Sequence, residues 1–148
     1  MDPFVRRISM GIPTGWYAKE SLTVVDAHGQ ANVIVSSEPL DPSIDSARYA
    51  AVQGELLDRE FVGYYEESFE AATVFGGRSG FIRRFGWTPS DGVPVRQIQV
   101  YVAEEGRGFT ATATTPLTSV ARFETIFTEV IGSLDIAHVA DDFNDEVH

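Results

Sequence analysis

The residues able to do chemistry are few, and their spacing speaks against catalysis. His28 falls in a predicted turn, while His138 and His148 fall near the chain end. None stands at i, i+4 from another ligand type, so no zinc site is built. Asp26 beside His28 reads as a turn pair rather than a base with its orienting carboxylate. Glu66, Glu67 and Glu70 suggest paired carboxylates only until they are placed on a strand. There Glu66 and Glu67 point to opposite faces, and the cluster reads as solvated edge charge. Gly76-Gly77 and Gly106-x-Gly108 sit in predicted hairpin turns, whereas a phosphate-cradling loop needs a parallel strand before it and a helix after it. The chain has no cysteine, which removes disulfides, thiolate metal sites and a Cys nucleophile. No catalytic residue, metal or cofactor is expected.

What remains is a surface for binding. From Val95 to Pro116 the sequence alternates with period two on both sides of a Gly-containing connection, the pattern of a β-hairpin. Ile98, Val100 and Val102 point one way, and Gln97, Gln99 and Tyr101 the other. On the second arm Phe109, Ala111 and Ala113 oppose Thr110, Thr112 and Thr114. The Gln/Tyr face is neither a solvated edge nor a plain core, and function is expected there.

The elements that position it follow in order. Phe4–Met10 reads as a short strand, and Pro13–Trp16 as a turn whose Trp is expected to plug the core. Leu22–Val25 and Asn32–Ser36 pair across a turn at Ala27–Gln30. A helix follows, capped by Ser43 or Asp45 and ending near Asp58, with Tyr49, Val52 and Leu56 as its apolar face. Gly54 is a weak point inside it. Phe61–Thr73 reads as an irregular or bulged strand, and Phe81–Trp87 as a strand leading into the central hairpin. After Pro116 comes a helix with Thr118 as its cap, and Val120, Phe123, Ile126, Phe127, Val130, Ile131 and Leu134 as its stripe. The expectation is an α+β fold: an antiparallel twisted sheet of about six to seven strands, helices on one face, and the other face a concave binding surface. Residues 1–136 are expected to form one domain, and 137–148 an acidic flexible tail.

Composition narrows the partners. The 148 residues are 43% hydrophobic and 11% aromatic, as in a globular domain. A formal charge of −11 argues against nucleic-acid backbones, which require Lys and Arg to replace counterions. No apolar run is long enough to span a bilayer, and Gly11 and Pro13 interrupt any leader-like stretch. A cytoplasmic protein without direct membrane insertion is expected.

The order of several segments resembles the PsbP/Mog-like superfamily and, within it, the DcrB-related domains that include the Eag chaperones of type VI secretion effectors. The segments are Ile12-Pro13 with Trp16, Leu22-Thr23-Val24 leading to Asn32–Ser36, Tyr49–Gln53, Gln99–Val102 and Thr112–Pro116. The turn near Glu105–Gly108 is shorter than the family pattern. The resemblance implies a non-catalytic homodimer that holds the hydrophobic N-terminal transmembrane helices of a secreted effector before loading for export. It places an apolar grip at Leu22, Val24, Ile34 and Phe109 and a polar grip at Gln53 and Gln99, with Tyr101 beside Gln99. A Gln offers both donor and acceptor to backbone groups of a helix interrupted by Gly or Pro. Residue types alone also allow Gln99 to bond within the sheet and Gln53 to lie on a solvated helix face. Two other functions remain open: an adaptor for a folded partner, as Mog-like members bind a small GTPase, and a small-ligand binder with a deep polar pocket.

Overall fold

The computed structural model describes residues 9–136. The expected tail at 137–148 and most of the expected strand Phe4–Met10 lie outside the described residues. Six antiparallel strands form one sheet: β1 (Glu20–Val25), β2 (Asn32–Pro39), β3 (Tyr65–Val74), β4 (Arg78–Trp87), β5 (Val95–Glu104) and β6 (Arg107–Pro116). Two helices accompany them, α1 (Ser46–Glu60) between β2 and β3, and α2 (Val120–Ser133) after a 3₁₀ turn at Leu117–Ser119. The strand order is β1-β2-β6-β5-β4-β3. The α+β class and the open antiparallel sheet are those expected.

Local chemistry explains the boundaries. Asp45 caps α1 by accepting from the Arg48 amide at 2.8 Å, which satisfies one of the free N–H groups of the first turn. The expected cap of the last helix is displaced: Leu117–Ser119 first winds as 3₁₀, and Ser119 precedes α2 without a side-chain cap bond. β5 and β6 join through Glu105 and Gly106 alone, both left-handed at φ 51 and 75°, the conformation that a two-residue hairpin turn of matching twist demands. The irregularity expected in the Phe61–Thr73 segment is a register shift in β3 between Glu66 and Ser68.

The hairpin register carries the face assignment across the whole sheet. Gln99 pairs with Thr112 and Arg83, Thr112 with Ile34, Ile34 with Thr23, and Arg83 with Phe69. These six residues form one row across all six strands, on the polar face. Its counterpart on the apolar face runs from Leu22 through Val35, Ala111 and Val100 to Ile82.

The helices do not share a face. α2 lies on the apolar one, where Phe123 and Phe127 pack with Ala31, Val33 and Ala113. Ile131 and Leu134 continue this layer onto Val100, Val102 and Ala111. α1 lies on the polar face, where Tyr49 and Ala50 bury Tyr101. The apolar stripe of α2 needed the valine side, and the Tyr101 row gave α1 an aromatic bed of its own. Trp16 is not a core plug; it is 74% exposed. The Pro13–Trp16 turn that carries it does close, by a 3.0 Å bond from the Trp16 amide to the Pro13 carbonyl.

Candidate functional site

On the polar face, α1 crosses β5 and β4 and forms a ridge. On one side of the ridge the face of β1, β2 and the adjoining part of β6 has no helix over it among the described residues; we call this the shelf. On the other side, toward β3, lies an open cleft.

The shelf begins with a ladder of side-chain hydrogen bonds along the hairpin. Gln97 donates to Thr114 Oγ1 at 2.7 Å and accepts from Trp87 Nε1 at 2.8 Å. Gln99 donates to Thr112 Oγ1 at 3.1 Å and accepts from the Tyr101 hydroxyl. Thr110 meets the Tyr49 hydroxyl at 2.8 Å. Each Thr on this face of β6, Thr110, Thr112 and Thr114, thus receives a polar partner, which is why the Thr/Gln alternation folds as a sheet rather than leaving stranded hydroxyls. Both Gln99 atoms are engaged, yet an amide has two N–H groups and two lone pairs. One donor and one acceptor of this half-buried side chain remain.

Ile34 stands two strands from Gln99 in the same row, roughly 10 Å away, and is 40% exposed. Gln53 occupies the position one turn from both Tyr49 and Leu57, so it lies on the sheet-facing side of α1. It is half-buried. The structure therefore brings Ile34, Gln53 and Gln99 to one surface. Tyr101 shares that face but lies wholly beneath α1, where it can only position Gln99. Leu22, Val24 and Phe109 are on the opposite face. Leu22 pairs with Val35 and Val24 with Val33, and Phe109 packs with Phe75 at 6.2 Å between ring centres. The β1 residues that share the shelf face are Ser21, Thr23 and Val25, and Val25 is 62% exposed. Of the seven expected residues, Ile34, Gln53 and Gln99 share this surface, and the other four lie beneath α1 or on the opposite face.

The cleft is built around Arg83, which the sequence reading passed over. Its side chain is 5% exposed and stacks over the Phe69 ring at 4.2 Å. Nε donates to Glu66 Oε1 at 2.6 Å, and Nη1 to the Ala50 carbonyl at 3.2 Å and the Tyr101 hydroxyl at 2.8 Å. Burial works against the Arg83 charge, but Tyr101 and the hydrogen bonds from Glu66 and Tyr101 outweigh it and hold the pKa above the usual value. Burial likewise raises the Tyr101 pKa, with Arg83 opposing. Burial raises the Tyr64 hydroxyl to about 12, helped by the charge of Glu66, to which Tyr64 donates at 3.2 Å.

Gly54 now has a reason. A Cβ there would stand 2.5 Å from Arg83 Nη2, so the guanidinium lies where a side chain would otherwise be. The signal was available: a glycine inside a helix, and an Arg between Phe81 and Phe85 on an alternating strand.

No family profile and no curated protein matches the chain. Among solved structures, the fold is similar to that of PA94 from Pseudomonas aeruginosa, a protein of unknown function. The TM-score is 0.74 at 17% identity, over 86% of this chain and 90% of that one. A weaker likeness is to LpqN of Mycobacterium tuberculosis, involved in cell envelope biogenesis, with TM-score 0.47 and 21% identity over 72% of this chain and 62% of that one. At these identities the likeness concerns the fold. Among the described residues no helix is long and apolar enough to cross a membrane.

Proposed function

We propose that this domain is a cytoplasmic chaperone or adaptor that holds hydrophobic N-terminal helices of a secreted type VI effector before export, acting as a homodimer. The observation that supports it is the shelf: exposed Ile34 in the same cross-strand row as Gln99, whose amide keeps one donor and one acceptor without a described partner. Apolar helices in water are stabilised by about 25 cal/mol for each Å² covered, which favours any greasy surface. Polar capacity adds selection. A helix broken by Gly or Pro exposes backbone groups whose burial without a partner costs about 1–3 kcal/mol, and Gln99 and Gln53 can meet them. The family resemblance points the same way.

A second reading draws support from the same ladder. Because Gln97 and Gln99 are already bonded to Thr114 and Thr112, the polar face is partly closed on itself, as suits an adaptor whose partner is folded and docks at a polar rim. Co-expression with an effector fragment carrying two N-terminal transmembrane helices separates the two. The chaperone reading expects a soluble complex that Gln99→Leu weakens about tenfold, the effect of one lost buried hydrogen bond, while the variant, though it loses its bonds to Thr112 and Tyr101, still unfolds cooperatively in urea. A fragment that aggregates beside well-folded domain would pass the function to the folded-partner adaptor.

A further inference from the structure

The cleft on the β3 side of α1 is unused by the shelf. It is open, has a volume of about 430 Å³, and is lined by Gly54, Glu55, Asp58, Tyr64, Glu66 and Arg83 among others. Three carboxylates surround one guanidinium. Glu66 is paired with Arg83 at 2.6 Å, whereas neither Glu55 nor Asp58 forms an ion pair with a described residue. The two stand at i, i+3 on α1, adjacent on one face of the helix. The cleft thus carries an excess of two negative charges, which disfavours a carboxylate or phosphate ligand. Among the described residues no group of three acidic or His side chains is placed to hold a metal ion.

A second observation points inward from the floor. The three hydrogen bonds of Arg83 use Nε and Nη1, which leaves both Nη2 hydrogens without a described partner on a side chain 5% exposed. Nη2 lies against Gly54, itself a lining residue. Nη2 is not sealed from solvent but opens onto the cleft, where a neutral acceptor can take its hydrogens without adding charge to an acidic cleft.

We infer that this cleft seats a Lys or Arg side chain of a partner polypeptide, held by Glu55 and Asp58, while the peptide carbonyl beside it accepts from Arg83 Nη2. The acidic balance of the whole chain, −11, steers a basic segment toward it. Gly54 is what makes the arrangement accessible: any side chain there would displace the guanidinium and fill the approach to it. This inference stands apart from the client reading, because it uses the other side of the α1 ridge and a partner feature of opposite character.

The test is a titration of the ¹⁵N-labelled full chain with N-acetyl-L-arginine methylamide at low salt, followed by amide and Arg Nε–H shifts. Saturable shifts at Gly54, Glu55, Asp58, Glu66 and the Arg83 Nε–H are expected. Glu55→Gln with Asp58→Asn should weaken binding on the order of tenfold, as for two lost partly screened ion pairs, with the rest of the spectrum unchanged. N-acetyl-norleucine methylamide, which has the carbonyls but no charge, should bind far more weakly. Equal binding of the norleucine compound, no loss in the double variant, or absence of saturable shifts at the cleft would each overturn the proposal. So would binding of N-acetyl-L-glutamate methylamide to the same amides, which would make Arg83 an anion receptor.

Discussion

The two faces of one sheet solve the same problem, covering a six-stranded surface with a helix, by different chemistry. On the apolar face Phe123 and Phe127 of α2 meet Val33 and Ala113 with no polar atom to satisfy, and packing alone decides the fit. On the polar face α1 sits on Tyr101, Arg83 and the Thr/Gln ladder. There most polar atoms find a partner, and the side chains at the margin, Gln99 and Arg83 Nη2, keep capacity to spare. An apolar layer offers a ligand contact area but no hydrogen bond. A polar layer beneath a ridge offers hydrogen bonds as well, and it is where both proposed sites fall.

Substitutions can break this contrast. The largest effect is expected at Phe127, 4% exposed: Phe127→Ala should lower stability by about 3–5 kcal/mol through transfer and cavity terms, measured by urea unfolding. The affinity of the remaining folded fraction for a partner should not change. Next comes Gly54. Gly→Ala inside an ordinary helix stabilises by about 1 kcal/mol, but here the Cβ meets a guanidinium pinned by Glu66, Ala50 and Tyr101. Gly54→Ala should therefore destabilise by about 1–2 kcal/mol, the cost of disturbing those bonds. In an Arg83→Met background the same change should turn stabilising, and a double-mutant cycle reads the reversal.

The smallest effect is a pH dependence. The Tyr64 hydroxyl titrates near 12 when folded, above its ordinary value of 10. A raised pKa means the folded state holds the proton more tightly, so the associated stability is present below pH 10 and is lost as pH rises toward 12. Tyr64→Phe should make the alkaline limb of the stability profile less steep in that window, the raised pKa of Tyr101 and of Tyr49 keeping the rest, while Phe127→Ala should lower the whole profile and leave its shape unchanged.

The sequence carried the hairpin well, because strict alternation from Gln97 to Val102 and from Phe109 to Thr114 leaves only one way to sort two faces. It carried β1 badly. Leu22, Val24 and Val25 are all apolar, so the alternation does not say which side faces the site, and only the pairing of Thr23 with Ile34 resolves it. The expectation that both helices share a face failed for a related reason. Tyr49, Val52 and Leu56 mark a stripe on α1 but not the surface it meets, and the buried set is Tyr49, Ala50 and Leu57. Arg83 was legible only as a pair with Gly54, two residues 29 positions apart in number that a linear reading has no cause to join.

The account turns on which face holds the client, and two charge substitutions decide it. Ile34→Asp places a carboxylate on the shelf, and Leu22→Asp places one on the opposite face of the neighbouring strand; both positions are exposed, at 40% and 54%, so both variants should fold. With an effector fragment bearing two N-terminal transmembrane helices, the account predicts that Ile34→Asp abolishes co-purification while Leu22→Asp retains it. Loss with Leu22→Asp and retention with Ile34→Asp would contradict it and move the site to the groove beside α2.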